Sequence, residues 1–75
     1  MPHPRIAQDP AVMMGKPVVR GTRITVELIL RRLGAGDGAD RILADHPQLA
    51  QADIRAAQAF AADCLAGDEI VAASR

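Results

Sequence analysis

The sequence predicts a mainly α fold, in which three helices follow a short N-terminal β-hairpin. The observations that predict it are a proline-rich start, two apolar runs around a glycine-containing turn, and helical apolar spacing from residue 26 onward. A length of 75 residues predicts a single domain. Hydrophobic residues make up 49% of the chain but aromatic residues only 1%, and much of the apolar count is alanine, which buries little surface per residue. Because such a small core stabilises little, we expect a partner, most simply a second copy of the chain, to complete it.

Residues 4–25 are predicted to be an extended segment that contains the hairpin. Four of the first 17 residues are proline, which disfavours helix there. The two apolar runs that flank the turn Arg20–Arg23 are Val18–Val19 and Ile24 with Val26. An isolated hairpin is marginally stable, so we expect it to pair with Arg5–Ala7 or with another chain. Dimer or partner contacts are accordingly predicted at Val18, Val19 and Ile24.

The first helix is predicted from its cap and its apolar stripe. Thr25 has the hydroxyl group that an N-cap requires. Apolar side chains then recur at i, i+3, i+4 and i+7, at Val26, Ile29, Leu30 and Leu33, and Gly34 ends the helix. Leu28 lies off this stripe and is predicted to contact a second chain or a partner. Arg31 and Arg32 are predicted to face solvent.

Two further helices are predicted. The second begins at Asp37 and ends at His46, because the next residue is a proline. The third is the longest, from about Gln51 to Leu65. Its apolar stripe consists of Ile54, Ala57, Phe60, Ala61, Cys64 and Leu65. On this stripe Cys64 is predicted to be a buried structural thiol.

The bend between the second and third helices fits a helix-turn-helix. A cluster of three helices without a role in DNA binding fits the same pattern. Residues 26–66 are thus predicted to be the tri-helical part, and residues 68–75 a tail. Within this tail, Ile70 and Val71 are predicted to contact a dimer partner or another protein.

Basic and acidic residues are unevenly distributed along the chain, which indicates a basic binding surface although the net charge is zero. Nine basic and nine acidic residues cancel. Residues 1–36, however, contain six basic and two acidic residues, a net charge of +4, and residues 37–75 contain three and seven, a net charge of −4. Such asymmetry is typical of a protein with a basic binding surface, so the neutral total does not exclude nucleic acid.

Candidate DNA contacts lie in two places. Lys16, Arg20 and Arg23 are on the predicted hairpin, where their cationic groups suit phosphate oxygens. On the third helix, Arg55 matches a guanine edge and Gln58 an adenine edge.

The same patterns support an alternative without DNA. Basic residues on a hairpin also pair with carboxylates of a partner chain. The outer face of the third helix is predicted to include Asp53 and Asp63, which would repel phosphates. The alternative function is therefore a protein-interaction module that binds a partner without binding DNA.

The sequence has no arrangement of residues that favours catalysis. Cys64 is the single cysteine, so one chain forms neither a disulfide nor a multi-cysteine zinc site. His46 follows Asp45, but neighbours on a helix point apart. Gly15–Lys16 lacks the flanking residues of a phosphate-binding loop. We expect a non-enzymatic protein without cofactor or metal, and a cytoplasmic one, because neither a signal peptide nor a membrane span is recognisable.

Several stretches of the chain carry a family resemblance. They are Gly15–Ile24 (GKPVVRGTRI), Ile42–Leu49 (ILADHPQL), and Asp53–Ala57 (DIRAA) with Ala61, together with Val26, Ile29 and Leu30. They resemble the small bacterial family of unknown function numbered 433, which is associated with VapB-like antitoxins. The resemblance extends from about Arg5 to Leu65.

This resemblance implies a homeodomain-like helix-turn-helix with an N-terminal hairpin, often dimeric. It further implies an antitoxin that binds a PIN-like ribonuclease toxin encoded beside it and represses their shared promoter. The positions that match as candidate DNA contacts are Lys16, Arg20, Arg23 and Arg55. We therefore predict a homodimeric transcription regulator of a toxin–antitoxin module that binds operator DNA.

One position departs from the family pattern. The family usually has Ser or Thr before the third helix, whereas Ala50 stands there in this chain. The missing cap hydroxyl costs about 1 kcal/mol. We therefore expect the helix to fray at its start or to begin elsewhere.

Overall fold

A computed structural model describes residues 3–67 and confirms the mainly α fold. Two short strands are followed by three helices: β1 (Ile6–Ala7), β2 (Val18–Val19), α1 (Val26–Gly34), α2 (Ala39–Asp45) and α3 (Gln51–Ala66). The predicted contacts at Ile70 and Val71, and the whole tail 68–75, lie outside the described residues.

The N-terminal segment folds back so that its two strands pair. β1 and β2 are antiparallel, with Ile6 opposite Val19. This confirms the first of the two pairings expected for the hairpin, the one with Arg5–Ala7. The predicted second arm of the hairpin is reduced to a single bridge between Val18 and Thr25, because α1 begins at the next residue.

One apolar core joins the strands to the helices. Ile29 and Ile42 lie at its centre, with no exposed surface. The other buried residues of this cluster are Ile6, Val19, Ile24, Val26, Leu49, Ile54 and Ala57. Val18 and Val19 are each 3% exposed and Ile24 is 7% exposed. The prediction that these three side chains contact a second chain is therefore wrong, because they are covered by their own chain.

Helix α1 begins as predicted but exposes fewer charges than expected. The Thr25 hydroxyl caps it by accepting the N–H of Leu28 at 3.0 Å, and the Leu28 side chain is exposed. Arg32 was predicted to face solvent, and this is wrong, because its side chain is only 20% exposed. The loop after α1 and the end of α2 bring Asp37 and Asp45 against its guanidinium group.

Helices α2 and α3 differ from the prediction at their first residues. Helix α2 begins two residues later than predicted, after Gly38 at its N-cap, and ends at Asp45 ahead of the His46–Pro47 pair. Helix α3 begins at Gln51 although Ala50 has no cap hydroxyl. The Asp53 carboxylate accepts the N–H of Ala50 at 2.8 Å, and this bond holds the first turn that we expected to fray.

The last two turns of α3 extend beyond the core. Ile54 and Ala57 are buried, but Leu65 is 69% exposed and Cys64 is also exposed. The prediction of a buried Cys64 thiol is therefore wrong. With 16 residues α3 is about 24 Å long, whereas the nine residues of α1 span about 14 Å. The shorter helix leaves the end of the longer one uncovered.

Candidate nucleic-acid interface

One face of α3 carries polar groups and no acidic residue. Gln51, Arg55, Gln58 and Ala62 are exposed and stand at i, i+4, i+7 and i+11, so they line one side of the helix over about 16 Å. We call these four residues the polar stripe. It presents two amide groups and one guanidinium group to solvent.

Asp53 does not face outward with the polar stripe. The residue is 7% exposed, and its carboxylate accepts both the Ala50 N–H at 2.8 Å and the Arg5 Nη1 group at 3.0 Å. The prediction that Asp53 lies on the outer face is therefore wrong. Capping the helix and pairing with Arg5 direct the carboxylate inward, away from any phosphate that approaches the stripe.

Asp63, the other acidic residue of α3, is in contact with the N-terminal segment. Its Oδ2 atom lies 2.7 Å from His3 Nε2. The imidazole ring of His3 also meets the edge of Phe60, with ring centroids 5.4 Å apart at 80°. These contacts fasten the N-terminal segment to the middle of α3.

Of the three basic residues predicted on the hairpin, Lys16 is paired with α1. Its Nζ atom lies 3.2 Å from Glu27 Oε1, and Arg31 Nε lies 3.0 Å from the other carboxylate oxygen. Hydrogen bonds from Arg31 and then Lys16 hold the pKa of Glu27 below its usual value. Lys16 therefore has a carboxylate partner within its own chain.

Arg20 combines a structural contact with an accessible guanidinium group. Its Nε atom donates to the Pro4 carbonyl at 2.7 Å and its Nη2 atom to the Ile6 carbonyl at 3.2 Å. Roughly three of its five N–H donors stay available. The backbone N–H of Arg20 also donates to the Arg5 carbonyl at 2.7 Å. Arg5 in turn pairs with Asp53 at the start of α3, so Arg20 is held next to the residue that contacts this helix.

Arg23 and Arg55 are the freest of the predicted DNA contacts. Both are exposed, as is Gln58. Across residues 3–67, neither guanidinium group takes part in a hydrogen bond or an ion pair. Their guanidinium groups are therefore available to an external acceptor.

Two acidic side chains near α2, those of Asp37 and Asp45, are paired with arginines of the same chain. Arg32 lies 2.8 Å from Asp37 and 2.7 Å from Asp45, and Arg41 approaches Asp45 at 3.8 Å. The hydrogen bond from Arg32 lowers the pKa of Asp45, and the bonds to Asp37 and Asp45 raise the pKa of Arg32. Part of the negative half of the sequence is thereby neutralised.

Sequence reasoning missed Arg5 and His3, which hold the two acidic side chains of α3. The acidic residue three positions after Ala50 marks Asp53 as a cap, but it gives no signal for Arg5, which lies 48 positions away. For His3 the local sequence holds no signal either.

Within residues 3–67, no cluster of histidine, cysteine and acidic side chains could hold a metal ion. The helices in this part of the chain are too short or too polar to cross a membrane.

The fold and the stripe define a small, mainly α domain with one polar helix face. The model of a family described as "Protein of unknown function (DUF433)" matches residues 6–61. The chain belongs to this family. Comparisons with curated proteins and with solved structures give no match.

Proposed function

We propose that the protein is a non-enzymatic, antitoxin-type transcription regulator that acts in the cytoplasm and binds operator DNA through α3. The observation that carries this proposal is the polar stripe. It exposes Gln51, Arg55 and Gln58, while both acidic side chains of the same helix are engaged by the N-terminal segment.

The chemistry of the stripe suits base edges in a major groove. An arginine donates two hydrogen bonds to O6 and N7 of guanine, and a glutamine side chain pairs with N6 and N7 of adenine. Arg55 is flanked on the same face by Gln51 and Gln58, so a guanine with neighbouring adenines is the expected target. Arg20 and Arg23 would bind phosphates and set the orientation of the domain.

The decisive experiment measures binding to a duplex from the gene's own upstream region and to a scrambled duplex, at several salt concentrations. Arg55→Ala is expected to weaken specific binding about 10- to 100-fold and to relax discrimination between the two duplexes. Arg41→Ala is the matched control, because it removes another exposed cation, on α2, without changing the stripe. It is expected to weaken binding to both duplexes alike.

Two results would contradict DNA binding. One is the absence of binding to either duplex at low salt. The other is an affinity that does not change with salt, since contacts with phosphate release counterions and must weaken as salt rises.

The antitoxin part of the proposal rests on the family resemblance. It predicts that the protein binds and inhibits a PIN-like ribonuclease encoded by the neighbouring gene. Co-expression of the two proteins should yield a complex in which the ribonuclease is inactive. A neighbouring ribonuclease that stays active in a saturating excess of this protein would contradict this part alone.

A protein-interaction module without DNA binding is the second candidate, because an apolar surface is left open at the end of α3. Charge reversal on the basic turn separates the candidates. Arg23→Glu is the cleaner variant, since Arg20 also holds β1. Loss of a protein complex with unchanged DNA binding would favour the second candidate.

A further inference from the structure

An apolar groove of about 370 Å³ lies between α1 and the last turns of α3. Its apolar lining consists of Pro17, Val26, Leu30, Phe60, Ala61 and Leu65, with Cys64 beside them. At its margin the Leu65 side chain is 69% exposed. An apolar groove with a large exposed aliphatic side chain at its margin is a candidate contact site.

We propose that a second copy of this chain occupies the groove. The two copies form a two-fold dimer in which Leu65 of each protomer inserts into the groove of its partner. The contact differs from the one predicted at the hairpin, whose apolar residues are buried within their own chain.

The first argument for a second copy is the shape of the surface. The groove and the protruding Leu65 lie side by side on one face of the protein. A two-fold contact requires one patch to be complementary to itself, because each patch meets its own copy. A projecting side chain next to a groove satisfies this requirement.

The second argument is the charge around the groove. Glu27 and Arg31 stand at its rim, four residues apart on α1, and the Arg31 side chain is 76% exposed. Within one chain Arg31 already donates to Glu27 through Nε at 3.0 Å, so it is the Nη groups of Arg31 that a two-fold axis across this rim brings to Glu27 of the other protomer. A partner of one strong charge would instead meet a like charge at one of these residues.

The third argument is where the groove lies on α3. Ala61, Cys64 and Leu65 continue the side of the helix that Ile54 and Ala57 bury in the core, so the dimer extends a short core across two chains. Leu65 follows Ala62 by three residues, so the contact borders the C-terminal end of the polar stripe and leaves Gln51 and Arg55 exposed. If the proposed DNA binding holds, the dimer presents two stripes to a two-fold operator, but self-association does not depend on it.

The test is the mass of the full chain in solution without DNA, measured by sedimentation velocity over a wide range of concentrations. The wild-type protein should reach about twice its chain mass of 7.9 kDa. Leu65→Asp should raise the dimer dissociation constant at least about 100-fold, because a buried leucine is lost from both halves of the contact. Met14→Asp is the matched control and should dimerise as wild type does, since Met14 is 87% exposed and absent from the groove lining.

A second variant, Arg31→Glu, should also weaken the dimer, because it sets two acidic side chains against each other across the two-fold axis. Circular dichroism verifies that both variants keep their helices. If Leu65→Asp does not fold, Arg31→Glu alone decides the outcome.

The proposal is overturned if the wild-type chain is monomeric at every concentration, or if a folded Leu65→Asp dimerises as tightly as wild type. If the wild type is monomeric, the double variant Ile70→Asp, Val71→Asp identifies the occupant, because its dimerisation would mean that the chain's own tail fills the groove. None of these outcomes bears on DNA binding, which the Arg55→Ala experiment tests separately.

Discussion

Both halves of α3 carry apolar side chains on one side, but those of the first half are buried whereas those at the end of the second half are exposed. In the first half Ile54 and Ala57 are buried and Asp53 is held by Arg5. In the second half Leu65 is 69% exposed and Cys64 is exposed. The difference shows that an apolar stripe predicts a helix, whereas the length of the neighbouring elements decides how much of that stripe is buried.

The largest expected effect contrasts one aliphatic side chain from each half. Ile54→Ala should lower the free energy of unfolding by about 2–5 kcal/mol, because it leaves a cavity in the core. Leu65→Ala should change it by less than about 0.5 kcal/mol in the monomer, because the side chain is mostly exposed. Urea unfolding at low protein concentration measures both. Equal losses would remove the contrast between the two halves.

The next effect tests how much the contacts of the Asp53 carboxylate stabilise the first half of α3. Asp53→Ala removes the acceptor for the Ala50 N–H and the partner of Arg5, and should lower the free energy of unfolding by about 1–3 kcal/mol. Asp53→Asn keeps an acceptor oxygen for the cap but removes the charge, so its loss should be smaller. Urea unfolding of both variants checks this order. Identical losses would mean that the cap contributes nothing.

A smaller effect is expected at the boundary between the halves, where His3 lies against Phe60 and Asp63. His3→Ala should lower the free energy of unfolding by about 0.5–1.5 kcal/mol, because one hydrogen bond and a ring contact are lost. His3→Phe keeps a ring beside Phe60 and should recover part of the loss. If neither variant differs from wild type in thermal unfolding, the N-terminal segment does not support α3.

The smallest effect concerns the ion cluster in which Arg32 of α1 pairs with Asp37 and with Asp45 of α2. The hydrogen bond from Arg32 lowers the pKa of Asp45 in the folded protein below the usual 3.8. Because the pKa of Asp45 is lower in the folded protein, the unfolded protein takes up this proton at a higher pH than the folded protein does. The stabilisation is thus present above pH 3.8 and disappears as the pH falls through the folded value.

The difference in thermal midpoint between wild type and Asp45→Asn should accordingly be constant above pH 3.8 and shrink below it. A pH series of thermal unfolding curves measures this difference. A difference that persists at the lowest pH would show that the carboxylate acts through packing rather than through its charge.

Local chemistry made much of the fold predictable. Thr25 caps α1 as its hydroxyl predicted, and the proline after His46 follows the end of α2. Arg55 and Gln58 are exposed on one face of α3, as helical spacing predicted. The same reasoning misplaced Arg32 and Cys64, because the exposure of each depends on an element elsewhere in the fold.

The sequence by itself determined the three helices, the turn that precedes them and the side chains on the face of α3 proposed to meet DNA. Caps, prolines and apolar periodicity act over a few residues, so they can be read without knowing the fold. The tertiary structure decided how the acidic side chains of α3 are held and which apolar side chains stay open. Arg5 reaches Asp53 across 48 positions and His3 reaches Asp63 across 60. Contacts over such separations exist only once the strands have packed on the helices.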